Sequence, residues 1–165
     1  ASKDFCASES ISNDLLLKSY RVFGIILNNE NDNFSPAMIK MIKFENPMQF
    51  NLHKESDSIK VDYSNLMEIA QGGPEIGNLF INGKQVKNYR FGGPCIIQND
   101  FIFVPVYIKR FFGTCFKLSK INSKDFSIKI IGKSKDLIYL DKIESNKIYF
   151  FEDINKSKYS YYELE

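Results

Sequence analysis

The sequence predicts an all-β protein: an antiparallel β-meander arranged as an open sandwich or a partial propeller-like stack, with one or two short helices near the N-terminal half. Three observations indicate this class. Aromatic residues make up 15% of the 165 residues, as 15 Phe and 9 Tyr, and such side chains favour pleated, half-buried surfaces. Short apolar segments alternate with polar turns that contain Asn or Gly. Two segments, 95–121 and 140–164, share one order of strands and turns at a separation of about 45 residues, a spacing typical of propeller blades.

The first third of the chain predicts a mixture of short elements. Residues 8–19 predict a helix, because Ser and Asn precede a run of Leu. The apolar, β-branched residues 19–29 predict a strand that ends in a polar cluster, and residues 34–47 predict another strand. The alternating residues 48–53 and 58–63, which flank the sequence KESD, predict a hairpin.

A further short helix is predicted over residues 64–73. Asn65 suits its N-terminal cap, since Glu68 follows three residues later. Gly72 suits the left-handed residue that ends many helices.

From Gly77 onward, regularly spaced turns predict about seven short antiparallel strands. In residues 101–108 both alternating sets of side chains are apolar, which predicts a central strand covered on both faces. Pro105 lies inside that segment and has no N–H to donate, so it predicts an edge or a bulge. The predicted turns are Asn82-Gly83, Asn99-Asp100, Asn122 to Asp125, Ser145-Asn146 and Asn155 to Ser157.

The length suits one domain, which we expect over residues 3–163. The terminal pairs 1–2 and 164–165 resemble residues that cloning leaves behind, and the fold prediction omits them. No run approaches 18 apolar residues, so no membrane span is expected.

Charge and cysteine content limit the partners and cofactors. The 22 basic and 20 acidic residues give a net charge of +2, without the basic stripe that nucleic-acid binding requires, so no nucleic-acid partner is expected. The three cysteines, Cys6, Cys95 and Cys115, lack the C-x-x-C spacing of zinc sites. A single disulfide between two of these three cysteines remains an alternative. We expect no metal and no small-molecule cofactor.

Catalytic motifs are absent from the sequence. His53 is the only histidine, and there is no Gly-x-Ser-x-Gly, His-Glu-x-x-His or P-loop pattern. An alternative reading is a small β-rich hydrolase that uses Cys95 as a nucleophile or the Glu152/Asp153 pair as acid and base. Another alternative is a propeller-like structural fragment of a larger chain.

Two aromatic and cationic clusters are candidate partner-binding sites, because aromatic and Arg side chains dominate interface energetics. If the hairpins stack in chain order, we expect these two clusters to approach each other. Glu152 and Asp153 add a candidate acidic patch. The clusters are Tyr89, Arg90 and Phe91, and Lys109, Arg110, Phe111 and Phe112.

The whole chain resembles the small immunity proteins of bacterial contact-dependent growth inhibition, and segments 92–120 and 137–164 carry the resemblance most. The shared features are size, an Asn-, Lys- and Ile-rich composition, short β hairpins, isolated thiols and the lack of a catalytic motif. The resemblance implies a non-catalytic cytoplasmic protein that binds and neutralises a cognate toxin domain, often a nuclease; a periplasmic location stays open. Many such inhibitors are acidic, and the charge of +2 departs from that pattern.

Overall fold

The computed structural model describes residues 45–110 and 113–164, which belong to one compact unit, Ile42–Glu165. The predicted elements at 8–19 and 19–29 lie outside the described residues. So does the predicted strand at 34–47, apart from its last three residues, which enter a turn closed by the Asn46–Gln49 bridge. The expectation of one domain over residues 3–163 stays a prediction.

Eleven strands form three antiparallel sheets, which confirms the predicted all-β class; the described residues contain no helix and no closed barrel. Each sheet follows chain order. The first contains β1 (His53–Ser56), β2 (Ile59–Glu68), β3 (Glu75–Ile81) and β4 (Lys84–Gln85). The second contains β5 (Ile96–Gln98), β6 (Phe101–Lys109), β7 (Thr114–Asn122) and β8 (Ile128–Lys135). The third contains β9 (Tyr139–Glu144), β10 (Lys147–Phe151) and β11 (Tyr159–Glu163).

The predicted turns are confirmed as hairpin connections. Asn82-Gly83 joins β3 to β4 with φ values of 48° and 76°, the left-handed pair that a tight hairpin requires. Ser145-Asn146 joins β9 to β10 in the same way, with φ values of 50° and 58°. The other three predicted turns join β5 to β6, β7 to β8 and β10 to β11. From β3 onward the described residues contain nine strands, where about seven were predicted.

The predicted helix over residues 64–73 is wrong, because β2 continues to Glu68 as a strand. Asn65 has a φ of 50°, and the β2–β3 register shifts between Ser64 and Met67, so a bulge occupies the predicted cap. Gly72 does adopt the predicted left-handed conformation, with a φ of 68°.

The first predicted hairpin exists, but its boundaries differ. Its first strand is β1, over His53–Ser56, and Asp57-Ser58 makes the turn. Most of the KESD sequence therefore belongs to a strand. Residues 48–52, predicted to be strand, are outside the ladders.

The second sheet lies between the other two, and each of its faces covers one apolar core. Val61 and Leu79 of the first sheet share a core with Val104 of β6. Phe103, which precedes Val104 on β6, belongs to the other core together with Phe150 of the third sheet. Neighbouring residues of one strand point to opposite faces, so this division confirms the predicted two-faced strand.

Pro105 occupies a gap in the ladder, although its strand is central. It lies opposite Leu118 of β7, but β5 pairs with β6 only as far as Phe103. Beyond that point the Gly92 N–H donates to the Pro105 carbonyl at 2.8 Å. The nitrogen of Pro105 therefore faces the side where β5 has ended, and no ladder hydrogen bond is lost there.

Candidate binding surface

The outer surface of the third sheet carries a group of side chains that we call the aromatic face: Tyr149, Phe151, Tyr159 and Tyr161. Alternation places these residues on one side of β10 and β11, while Ile148 and Phe150 point into the core with 0% exposure. Tyr159 and Tyr161 are 48% and 50% exposed, which is unusual for two large rings on a sheet whose other face is buried.

The rings of the aromatic face contact each other across the strands. Tyr149 lies opposite Tyr161, and Phe151 lies opposite Tyr159. Tyr149 and Tyr159 stack with their ring centroids 5.6 Å apart and their planes within 14°. The centroids of Phe151 and Tyr159 are 4.7 Å apart. These contacts restrict the side-chain rotamers and make the face a preformed surface.

Lysines lie over the rings, and carboxylates balance them. The Nζ atom of Lys147 is 4.3 Å from the ring centroid of Tyr161, and that of Lys142 is 5.5 Å from the centroid of Tyr149. Lys142 also pairs with Glu144 at 2.5 Å. Three lysines lie over or beside the rings of the face, and three carboxylates lie beside them: Lys142, Lys147 and Lys156, with Asp141, Glu144 and Glu163.

The hydroxyl of Tyr159 is held by a carboxylate. It donates a hydrogen bond to Asp141 Oδ2 at 2.7 Å. Partial desolvation of the phenol, together with this acceptor and its charge, raises the pKa of Tyr159 to about 12. The phenol is therefore a neutral hydrogen-bond donor at physiological pH.

The opposite face of the third sheet is anchored to the second sheet through Tyr162. Its ring lies directly over Gly132 of β8, where a Cβ atom would be 2.4 Å from the ring. Its hydroxyl donates to the Lys133 carbonyl at 2.6 Å, and its ring packs against Phe150 with a centroid distance of 4.8 Å. This packing fixes which face of the sheet remains in contact with solvent.

The first predicted cluster is divided by the fold. Phe91 is fully buried and bridges Gly77 of β3 and Val106 of β6, so its side chain belongs to the core and we remove it from the candidate surface. Arg90 is half-buried, and its guanidinium donates to the Asn65 carbonyl at 2.6 Å. Tyr89 alone remains substantially exposed, at 39%.

The second cluster lies at the end of β6, and both its cations are exposed. Arg110 donates to the Ser134 hydroxyl at 2.5 Å, while Lys109 is the last residue of the strand. Phe111 and Phe112 lie outside the described residues. The strand that precedes the second cluster does contact the first cluster through the backbone, since the Tyr107 N–H of β6 donates to the Arg90 carbonyl at 2.9 Å.

Glu152 and Asp153 organise the end of the third sheet. Glu152 pairs with Lys135 at 2.6 Å and accepts a hydrogen bond from Ser160, and these interactions lower its pKa. Asp153 accepts hydrogen bonds from the N–H groups of Ser157 and Lys158, which also lower its pKa. An acid and base pair needs pKa values moved apart, whereas both of these move down.

The proposed cysteine nucleophile is unsuited to that role. Cys95 is 3% exposed, and burial raises the pKa of its thiol to about 11, so the thiolate is scarce at neutral pH. The Lys54 ammonium group donates a hydrogen bond to the Cys95 carbonyl. His53, the adjacent residue of β1, is hydrogen-bonded through Nδ1 to Asp62 Oδ1 at 2.6 Å. Neighbouring strand residues point to opposite sides, so His53 is directed away from Cys95.

A groove of about 360 Å³ lies beside the Asn99 and Ser145 turns. Lys120 reaches into it, with Nζ 4.2 Å from the ring centroid of Phe101. Among its described lining residues, Lys120 and Glu144 are the ionisable ones, and no His, Cys or Asp is among them.

Within residues 45–110 and 113–164, no cluster of three or more His, Cys, Asp or Glu side chains suits a metal ion. The same part of the chain contains no helix that is long and apolar enough to span a bilayer.

The aromatic face was missed at the sequence level, although a signal was present. In residues 159–163, YSYYE, two Tyr residues two positions apart, Tyr159 and Tyr161, share one side of the strand, while Tyr162 lies on the other. Tyr162 packs on β8 from the same side of the sheet as Ile148 and Phe150 of β10, and this is the side that is covered.

Comparisons with protein-family models, with curated protein sequences and with solved structures found no match for this chain.

Proposed function

We propose that this chain is a non-catalytic binding protein whose aromatic face contacts another protein, and that this partner is a bacterial toxin domain that the chain neutralises. The observation that carries the proposal is the exposure of Tyr159 and Tyr161 side by side on a regularly paired strand. Large contiguous exposed aromatic surface on a small protein marks interaction sites.

The energetics of the aromatic face suit a protein partner. Tyr supplies a large amphipathic contact area with only two rotatable side-chain bonds, and Tyr is enriched among the residues that dominate binding energy. Stacking between Tyr149 and Tyr159 has already restricted those bonds, so less conformational entropy is lost on binding.

Charge favours a protein over a nucleic acid as the partner. Base-stacking platforms also use aromatic rings, but their affinity depends on cations that neutralise phosphates. Around the aromatic face carboxylates lie beside the lysines, and Lys142 is already paired with Glu144. A neutral, mixed surface of this kind matches the centre and rim of a protein interface.

The first test is capture of a partner from the native host, followed by binding measurements with the purified partner. The double variant Tyr159→Ser/Tyr161→Ser removes the two exposed rings, and Tyr89→Ser is a matched control because it removes a similarly exposed ring from another surface. We expect at least about a 30-fold weaker affinity for the double variant, from the loss of roughly 2 kcal/mol at one hot spot. An unchanged affinity of the double variant, with Tyr89→Ser impaired, would assign binding to the other surface.

The second test addresses neutralisation. The purified partner is assayed for toxic enzymatic activity, a nuclease assay first, with increasing amounts of this chain. We expect activity to disappear at one chain per toxin domain, and the Tyr159→Ser/Tyr161→Ser variant to require a large excess. A partner without toxic activity would refute the immunity proposal and leave the binding surface standing.

A further inference from the structure

Among the described residues, one side of the β11 backbone has no neighbouring strand. The Glu152 N–H donates to the Lys158 carbonyl, and the Leu164 N–H donates to the Asn146 carbonyl, at 2.9 Å and 2.8 Å. Even-numbered residues therefore face β10, and the register stays continuous between these two points. Backbone groups alternate in direction along a strand, so the N–H and C=O groups of Tyr159, Tyr161 and Glu163 face away from β10. In the described part of the chain, no strand lies on that side.

β11 also lacks the features that protect other sheet edges. Proteins block exposed edges with very short strands, bulges, Pro or Lys. Among the described edge strands, β4 and β5 have two and three residues, and β9 carries a bulge. β8 has irregular pairing and a left-handed Gly132, and β1 is a four-residue strand of mainly charged or ionisable residues. By contrast, β11 is regular, contains neither Pro nor Lys, and is rich in Tyr, which favours strands.

We infer that β11 pairs edge to edge with β11 of a second copy of this chain, in antiparallel orientation and centred on Tyr161. In that register Tyr161 lies opposite its own equivalent, and Tyr159 lies opposite Glu163 of the second copy. All the outward N–H and C=O groups of Tyr159, Tyr161 and Glu163 are then used, and the two third sheets become one continuous six-stranded sheet.

Charge decides the orientation. Lys158 precedes β11 and Glu163 ends it, so antiparallel pairing brings the basic end of one strand beside the acidic end of the other. Parallel pairing would place like ends together, which is destabilising. Cross-strand pairs within the inferred register join Tyr with Tyr and Tyr with Glu, with no like charges directly opposite.

The size of the contact sets its strength. One five-residue strand edge buries less than the roughly 800 Å² per partner that stable complexes bury. The dimer is therefore weak and concentration-dependent, and chain concentration controls whether one aromatic face or two adjacent ones are presented. This inference does not depend on the identity of any other partner.

The register is tested by disulfide trapping in a chain that carries Cys6→Ser, since Cys95 and Cys115 are buried. Tyr161→Cys places two thiols on directly opposed residues, whose Cα atoms are about 5.5 Å apart, within disulfide range. Tyr159→Cys is the matched control, because its two copies are offset by four residues, or about 13 Å. We expect at least a tenfold faster formation of covalent dimer for Tyr161→Cys. Equal rates for the two variants, or none for Tyr161→Cys, would overturn the register.

Sedimentation equilibrium tests the association itself. We expect the wild-type chain to shift from monomer to dimer as its concentration rises from micromolar to millimolar. Tyr161→Pro removes the outward N–H without removing a β10 hydrogen bond, and Tyr161→Ser removes only the phenol ring; circular dichroism confirms that both are folded. The Pro variant should dimerise at least tenfold more weakly than the Ser variant. A wild-type chain that stays monomeric, or Pro and Ser variants that dimerise equally, would refute the inference.

Discussion

Gly132→Ala should disrupt the packing of the third sheet on the second, because the added methyl group would collide with the Tyr162 ring. Gly132 has a φ of 67°, and a Cβ atom there would be 2.4 Å from the Tyr162 ring. Gly83→Ala is the matched control, because Gly83 also has a positive φ, 76°, but a Cβ atom there would meet nothing within 4 Å. Both variants carry backbone strain, and only Gly132→Ala displaces a side chain.

The expected magnitude follows from these contacts. The left-handed conformation costs an L-residue about 1–2 kcal/mol, and this cost applies to both variants. At Gly132 the Tyr162 ring must also move, which loses its hydrogen bond to the Lys133 carbonyl and its contact with Phe150. Losing one hydrogen bond and part of an aromatic contact adds about 2 kcal/mol. We therefore expect a total of about 3–4 kcal/mol for Gly132→Ala.

Urea unfolding, followed by tyrosine fluorescence because the chain has no Trp, measures both free energies. A double-mutant cycle with Tyr162→Ala isolates the steric part, since Gly132→Ala should then cost no more than Gly83→Ala. Equal destabilisation by Gly132→Ala and Gly83→Ala in the otherwise wild-type chain would refute the packing of Tyr162 on β8.

Three further predictions concern titratable groups. Lys135 and Ser160 lower the pKa of Glu152, so the stabilisation is present above about pH 4.3 and is lost as the pH falls through the folded value. Glu152→Gln should therefore cost about 1 kcal/mol at pH 7, and this cost should decrease as the pH falls below about 4.3; a penalty in urea unfolding that is independent of pH would contradict the Lys135 pair. Cys95 should react with a thiol reagent at pH 8 at least tenfold more slowly in the folded chain than in urea, because its pKa is about 11 and it is buried; equal rates would place it at the surface. Asp141→Asn should lower the pKa of Tyr159 from about 12 in a titration followed by absorbance near 295 nm, and an unchanged value would remove the carboxylate as a cause.

The turns were predictable because their residue types have local conformational causes. Asn and Gly tolerate positive φ values, so Asn82-Gly83 specifies a hairpin whatever surrounds it. The two apolar sets in residues 101–108 likewise require cover on both faces, and the structure provides it. Both the turns and the two-faced strand are determined by residues that are close together in the sequence.

The errors arose where tertiary contacts override local signals. Asn65 and Glu68 resemble a helix cap, but Tyr63 and the partly buried Leu66 pack in the first core and extend the strand past a bulge. Phe91 resembles an exposed anchor beside Arg90, yet it fills the space between β3 and β6. The aromatic face was not predicted because both alternating sets of residues in β11 contain Tyr, and the covered set is identified only by the packing of Tyr162 on β8 beside Ile148 and Phe150.

Hydroxyl-radical footprinting of the chain with and without its captured partner measures the binding surface most directly. We expect several-fold protection of Tyr149, Tyr159 and Tyr161 in the complex, with Tyr89 and Lys109 unchanged. Protection centred on Tyr89 and Lys109, with the three tyrosines of the aromatic face still reactive, would contradict it.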